Sequence, residues 1–126
     1  MNFNIDVSSE VPIYIQIRNN IILGMAYGTL KENDKLPTVR QLAKDTGINN
    51  MTVSKAYTYL KNEGLINIDR RNGARIKKVS NNSENYKQEL FEKLELLIAE
   101  SKINGLSKSD FLDICSFLFY KMKGIQ

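Results

Sequence analysis

The chain has 126 residues and a net charge of +4, with 42% hydrophobic and 25% charged residues, which is the composition of a small globular protein. It contains no histidine and one cysteine, which excludes Ser–His and Cys–His catalytic pairs, an internal disulfide and the usual His/Cys metal sites, so we predict no enzyme activity, no metal and no cofactor. No apolar run reaches the roughly 18 residues of a membrane span and the first residues do not resemble a signal peptide, so we expect a cytoplasmic protein without membrane contact.

The first predicted element is a helix over residues 13–27. Apolar side chains recur there at helical spacing, after Pro12, which the first turn of a helix tolerates, and before Gly28, which is typical of a helix end. The residues of this stripe are Tyr14, Ile17, Ile21 and Met25. Residues 29–36 are mostly polar and predict a loop.

Two short helices are predicted next, joined by a tight turn. Thr38 and Gln41 form the capping-box pattern that begins the first of them, and Gly47 is expected to end it. Asn49 is a favourable N-cap for the second, which Gly64 is expected to end. Their predicted apolar faces consist of Val39, Leu42 and Ala43, and of Val53, Ala56, Tyr57 and Leu60. This arrangement predicts a helix-turn-helix.

A β-hairpin is predicted after the third helix. Residues 65–69 alternate apolar and polar side chains, residues 74–79 form the return strand, and Asn72-Gly73 between them is a turn signal. Basic residues fall within nine positions here with no acidic residue among them. They are Arg70, Arg71, Arg75, Lys77 and Lys78. Such a concentration of positive charge favours attraction to phosphate.

A polar segment, residues 80–83, predicts a linker to two further helices. The first is expected over residues 84–103, and the second after Ser107, which repeats the capping-box pattern with Asp110. Their predicted apolar faces consist of Tyr86, Leu90, Leu94, Leu97 and Ile98, and of Phe111, Cys115, Leu118 and Met122. On such a face Cys115 is expected to be a buried, inert thiol.

Charge divides the chain in the same place. Residues 1–79 carry 12 basic and 7 acidic residues, a net of +5, whereas residues 80–126 carry 6 and 7, a net of −1. The charge difference supports a division of the chain near residue 80. The predicted elements together indicate a mostly α fold with a small β-hairpin. The predicted parts are a winged helix-turn-helix domain at residues 1–79 (helix-turn-helix about 38–63, wing about 65–79), a linker at 80–83 and a two-helix dimerisation tail at 84–126.

The tail is predicted to form a homodimer because it has more apolar side chains than one helix face needs. Phe117, Leu118 and Phe119 are consecutive, so more than one side of the last helix requires burial. A self-complementary dimer would bury them, and packing back onto the first domain is the alternative. The predicted interface residues are Leu90, Leu94, Leu97, Phe111, Leu118 and Phe119.

The start of the third predicted helix has the hydrogen-bonding side chains that are typical of a DNA recognition helix. Asn49, Asn50, Thr52 and Ser54 hydrogen-bond readily, and Lys55 follows them. A recognition helix presents its N-terminal residues to base edges, where Asn pairs bidentately with adenine and Ser or Thr bonds base or phosphate. A basic hairpin tip beside it has the geometry of a wing on an adjacent groove. Taken alone, however, the same polar residues also fit an ordinary solvated surface.

Three stretches of the chain carry a family resemblance: LPTVRQLA (residues 36–43), TVSKAY (52–57) and LKNEGLI (60–66). Together with PIYIQI (12–17) and GTL (28–30), in this order and spacing, they resemble the winged-helix domain of the GntR family of bacterial transcription regulators over roughly residues 11–79. The short helical tail and the TVSKAY motif resemble the YtrA-like branch of that family.

The resemblance implies a homodimeric repressor that binds double-stranded DNA at a palindromic promoter operator, with a transporter operon suggested by the YtrA-like branch. The positions expected to contact DNA are Thr38, Arg40, Asn49, Asn50, Thr52, Ser54, Lys55, Arg70, Arg71, Asn72 and Gly73. The chain departs from the family pattern where Asn50 and Ser54 replace frequent arginines and where the wing tip has one glycine. These departures leave the half-site sequence open.

Two functions of other classes stay open at this stage. The first is a sensor with a small-molecule effector, of unknown identity, between the tail helices. The second is a winged-helix module that binds protein, in which Arg40, Lys55 and Arg71 would be dispensable. Independently of both, the alternative to DNA contact for Arg40 is an ordinary ion pair with a surface acid such as Asp45, and the family resemblance favours DNA contact.

Overall fold

The computed structural model of the chain describes residues 3–71, 73–77 and 83–122, which fall into two compact units divided near residue 80. The predictions for Asn72, for Lys78 and for the linker at 80–82 lie outside the described residues. The elements are α1 (Ile13–Tyr27), α2 (Val39–Thr46), α3 (Asn50–Asn62), β1 (Ile66–Asp69), β2 (Gly73–Ile76), α4 (Ser83–Ile103) and α5 (Lys108–Lys121). The mostly α fold with one hairpin is confirmed.

The helix limits follow the capping signals in the sequence. Thr38 Oγ1 accepts the Gln41 N–H at 3.0 Å, and Ser107 Oγ accepts the Asp110 N–H at 3.1 Å. The box at Thr38 is half made, because Gln41 Nε2 donates to Asp45 Oδ1 at 2.7 Å and does not return to Thr38. Side-chain acceptors thus satisfy backbone donors that have no partner in the first turn of each helix.

The core of the first unit lies where α1, α2 and the hairpin meet α3. Its buried side chains are Ile17, Ile21, Met25, Leu30, Leu36, Leu42, Ala43, Val53, Ala56, Tyr57, Leu60, Ile66, Ala74 and Ile76. The apolar faces predicted for α2 and α3 are confirmed, except that Val39 is half-buried at the edge of the core. Because α3 contacts α1, α2 and β1, its orientation is determined by the whole unit.

The loop predicted at residues 29–36 is partly wrong. Residues 33–36 run along the free edge of β2, with hydrogen bonds from Leu36 N–H to the Ala74 carbonyl (2.8 Å) and from Ile76 N–H to the Asp34 carbonyl (2.9 Å). Strand β2 is therefore paired on both sides, to β1 in antiparallel register and to this segment. The pairing joins residues about 40 positions apart, so no local sequence pattern predicts it.

The second unit consists of α4 and α5, and it has no buried side chain among its described residues. Ser83 begins α4, so it does not belong to the predicted linker. Cys115 is half-buried, and the expected buried thiol is therefore wrong for the single chain. Large apolar side chains are exposed along both helices: Tyr86, Leu90, Phe91, Leu96, Leu97, Ile98, Ile103, Leu112, Ile114, Phe117, Leu118, Phe119 and Tyr120.

Candidate nucleic-acid interface

The turn between α2 and α3 is held by short local hydrogen bonds. Gly47 has a positive φ of 73°, which a glycine adopts without a steric penalty, and its N–H donates to the Ala43 carbonyl at 2.9 Å. Thr46 Oγ1 donates to the Leu42 carbonyl at 2.7 Å, and Ile48 packs against the core. Hydrogen bonds to the last turn of α2 and the packing of Ile48 on the core thus hold the turn, and the turn in its place orients the start of α3.

The first turn of α3 presents hydrogen-bonding side chains to solvent. Asn49 Oδ1 accepts the Met51 N–H at 2.7 Å and so acts as the N-cap. Asn50, Ser54 and Lys55 are exposed, and Thr52 is half-buried. Neither α2 nor α3 has an acidic residue in its first turn, so no carboxylate neutralises the positive ends of the two helix dipoles. These two ends favour an anion such as a phosphate.

Arg40, the second residue of α2, is exposed. The alternative for Arg40 is a surface ion pair with Asp45, but Asp45 Oδ1 accepts the Gln41 side-chain amide at 2.7 Å. Within residues 3–71, 73–77 and 83–122, ion pairs link Arg18 to Glu63 and Lys87 to Glu84, and none involves Arg40. Its guanidinium therefore has no competing carboxylate among the described side chains.

One short segment connects α2, α3 and the hairpin. The Tyr57 hydroxyl on α3 donates to the Pro37 carbonyl at 2.6 Å, just before α2 begins. The neighbouring Leu36 N–H donates to Ala74 on β2. Burial raises the pKa of the Tyr57 phenol, so the hydroxyl remains a donor at neutral pH. The segment before α2, the middle of α3 and strand β2 are thus joined in one hydrogen-bonded frame, and Arg40 and the start of α3 lie on the helices that this frame holds.

Lys55 is directed towards α1. Its Nζ lies 4.2 Å from the centroid of the Tyr14 ring, and Tyr14 in turn lies 6.0 Å from the ring of Tyr59. Arg18 lies over Tyr59 and is held by Glu63, with Nη2 donating to Oε2 at 2.8 Å. An exposed cation–π contact contributes about 0.5–1 kcal/mol, which leaves the ammonium available to a phosphate.

The hairpin presents basic side chains at its turn. Arg70 and Arg71 are exposed, and the Arg71 N–H donates to Asp69 Oδ1 at 2.8 Å. Gly73, half-buried, has a φ of 69°, which glycine adopts without a steric penalty, and it is the first residue of β2, where it pairs with Asp69. Arg75 differs from its neighbours because its Nη1 donates to the Asn33 carbonyl at 3.0 Å. This side chain therefore supports the pairing of β2 with residues 33–36.

Sequence reasoning missed three features of this surface: the pairing of residues 33–36, the position of Lys55 over Tyr14, and the exposure of Met51. Met51 is 80% exposed at the start of α3, where polar side chains surround it. A lone apolar residue in a polar stretch was the available signal for Met51. The other two features join distant parts of the chain.

The described residues show no cluster that could hold a metal ion. None of the described helices is long and apolar enough to cross a membrane.

Comparison with known proteins adds independent information. Residues 11–76 match the sequence model of a family described as "Bacterial regulatory proteins, gntR family". The HTH-type transcriptional repressor YtrA of Bacillus subtilis is 42% identical over 96 residues, which cover 76% of this chain and 69% of that protein.

Two solved structures have a similar fold. A transcriptional antiterminator from Listeria monocytogenes has a TM-score of 0.85 at 28% identity and covers 94% of this chain and 90% of its own. YtrA from Sulfolobus acidocaldarius, a GntR-family transcription factor, has a TM-score of 0.64 at 36% identity, with coverage of 80% and 97%. The similarity therefore extends beyond the helix-turn-helix into the helical tail.

Proposed function

The chain belongs to the GntR family of bacterial regulatory proteins, in its YtrA-like branch, and from that premise we propose that it is a homodimeric repressor of a promoter with a palindromic operator. The observation that carries the proposal is the exposed polar start of α3. The hydrogen-bonded frame of the first unit holds α3 together with α2, which bears Arg40, and with the basic wing. Each protomer would place α3 in a major groove, and half-site spacing would follow the dimer two-fold axis.

The DNA contacts divide by chemistry. Arg40, Asn49, Asn50, Thr52 and Ser54 would supply sequence preference, because Arg and Asn pair bidentately with base edges. Lys55, Arg70 and Arg71 would contact phosphates and supply affinity that falls with salt. Thr38 and Gly73 would contribute mainly through backbone geometry at the two ends of the frame, and Asn72, outside the described residues, stays an expected contact from the family resemblance. Occupation of a promoter would then block transcription sterically, in the cytoplasm.

The tail is assigned to dimerisation because its helices leave large apolar side chains exposed. Among the predicted interface residues, Leu90, Leu97, Leu118 and Phe119 are between 39% and 80% exposed, and Leu94 and Phe111 are half-buried. Exposed apolar surface of this extent marks an interaction site. A second copy supplies a matching apolar surface, and the tail's net charge of −1 adds little repulsion.

The test is an anisotropy titration of the protein against its own promoter fragment and a shuffled fragment, each at two salt concentrations. We expect the promoter to bind at least about 10³-fold more tightly than the shuffled fragment, with the preference persisting at the higher salt. Promoters of neighbouring transporter genes are the first to include. Equal binding to both fragments, abolished by salt, would contradict sequence-specific regulation.

A duplex RNA of the promoter sequence serves as a further competitor, since one similar structure is named an antiterminator. The deep, narrow major groove of A-form RNA does not admit a helix such as α3. The RNA is therefore expected to compete no better than the shuffled DNA. Competition equal to that of the promoter DNA would move the proposal from DNA to RNA.

The wing is expected to account for part of the salt dependence. Replacing both Arg70 and Arg71 by Ala removes two exposed charges and should flatten the slope of log affinity against log salt by up to about two units. The matched control is the double variant Lys93→Ala, Lys102→Ala, which removes the same charge from exposed positions on α4. An unaltered slope in the arginine variant would mean that the wing does not contact the DNA.

A further inference from the structure

Met51 has the most exposed large apolar side chain on α1, α2 and α3, with 80% of its surface in solvent. It is the second residue of α3, and its N–H is held by the Asn49 cap. Ser54 and Lys55 lie one turn further along the same side of the helix, since residues three and four apart are neighbours. The side chain therefore stands on the surface assigned to base recognition without packing into the core.

The surroundings of Met51 indicate what could cover it. Asn50, Ser54 and Lys55 are exposed polar or charged side chains, so the patch is not the continuous apolar surface that a protein partner needs. A ligand surface that is mostly polar and anionic, with isolated apolar groups, matches the surroundings of Met51 better than the apolar surface of a protein partner does. The major groove is such a surface, and the thymine C5-methyl group is its apolar contact point.

We propose that Met51 is a specificity-determining residue that contacts the methyl group of one thymine in each half-site. The inference rests on the proposed function and adds the base that this position reads. Burial of a methyl-sized group contributes about fourfold in affinity, so removing the methyl from both half-sites should weaken binding about fifteenfold.

The experiment uses the full chain and the preferred duplex selected from a random-sequence pool. Each thymine is replaced in turn, symmetrically in both half-sites, by deoxyuridine, which lacks only the methyl group. Dissociation constants are measured for the wild type, Met51→Ala, Met51→Leu and Leu23→Ala. Leu23→Ala is the matched control, because it shortens an exposed apolar side chain on α1, outside the predicted contacts.

For the wild type we expect one symmetric thymine pair at which deoxyuridine weakens binding about fifteenfold. Met51→Ala should bind thymine and deoxyuridine equally at that pair and keep its response at all other positions. Met51→Leu and Leu23→Ala should retain the preference for thymine. A purely structural role of Met51 would not produce this loss at a single methyl group, and unchanged thermal midpoints would show that the variants are folded.

The inference is overturned if the wild type ignores the methyl group at every thymine, if the selected half-site has no thymine, or if Met51→Ala keeps the full preference. These outcomes leave the proposed function in place, because the wild type still discriminates the selected duplex from a shuffled one. If the wild type shows no such discrimination, the proposed function fails and the inference fails with it.

Discussion

A chain that ends at residue 83 is expected to bind the operator about 10²–10⁴-fold more weakly than the full chain, because it loses bivalent attachment to the two half-sites. The truncated chain should still fold. Among the described residues, all fourteen buried apolar side chains lie between Ile17 and Ile76, so this core has no member in α4 or α5. Sedimentation equilibrium should show a monomer, and the anisotropy titration should show the loss of affinity.

Two full-length variants separate loss of the dimer from loss of chain length. Leu118→Glu places a charge at the predicted interface, where a dimer would have to bury it without a partner, so dimerisation and operator affinity should fall together. Leu23→Glu places the same charge on a similarly exposed apolar site of α1 (46% against 39% for Leu118) and should leave both dimerisation and operator affinity unchanged. A truncated chain that remains dimeric, or that binds as tightly as the full chain, would place the interface in the first unit.

Arg40→Ala is expected to weaken operator binding by about 1–3 kcal/mol, which is roughly 5- to 150-fold. The guanidinium is exposed at the start of α2 and has no ion-pair partner among the described residues, so its removal should not disturb the fold. Fluorescence anisotropy gives the affinity, and thermal unfolding confirms stability. Lys44→Ala, an equal loss of charge one turn further along α2, should have a much smaller effect.

The pattern of the loss identifies the group that Arg40 contacts. A base contact would relax the preference at one operator position, whereas a phosphate contact would weaken all sequences alike and reduce the salt slope by about one. Arg40→Lys distinguishes them further, because lysine cannot reproduce a bidentate pair with guanine. An affinity unchanged in Arg40→Ala would exclude Arg40 from the interface.

The two effects have different physical origins, and so they should be separable. Tail variants change how many DNA-binding domains are bound to one operator, whereas Arg40 variants change the contacts that each DNA-binding domain makes. In the truncated chain, Arg40→Ala should therefore still reduce affinity, by the effect of one contact, because the sites do not share a partner. A truncated chain insensitive to Arg40→Ala would mean that its residual binding is non-specific.

Much of the fold could be predicted from the sequence because its signals are local. The limits of α1 follow from Pro12 at its start and the left-handed Gly28 at its end. The caps Thr38, Asn49 and Ser107 follow from side chains that accept backbone N–H groups within three residues. The buried face of α3 follows from its helical period. A glycine at position 73 permits the left-handed backbone found there, but the Asn-Gly signal places Gly73 in the turn, whereas it is the first residue of β2.

The candidate site was predictable as a set of residue types, and less so as a geometry. The sequence by itself determined that exposed amides, hydroxyls and basic side chains follow a tight turn, since polarity and helical period assign them to the open side of α3. It did not determine the Tyr57–Pro37 hydrogen bond, the cation–π contact of Lys55 with Tyr14 or the hydrogen bond from Arg75 to the Asn33 carbonyl. Each of these joins residues at least 20 positions apart.

Tertiary structure decided these features because the energy of a contact depends on which distant surfaces meet. Residues 33–36 have the local sequence of a loop, and they become extended because the free edge of β2 supplies hydrogen-bond partners for their backbone groups. Cys115 was expected to be buried from its apolar face, yet a helix buries that face only against another surface. The sequence determined which groups needed partners, and the fold decided where those partners lie.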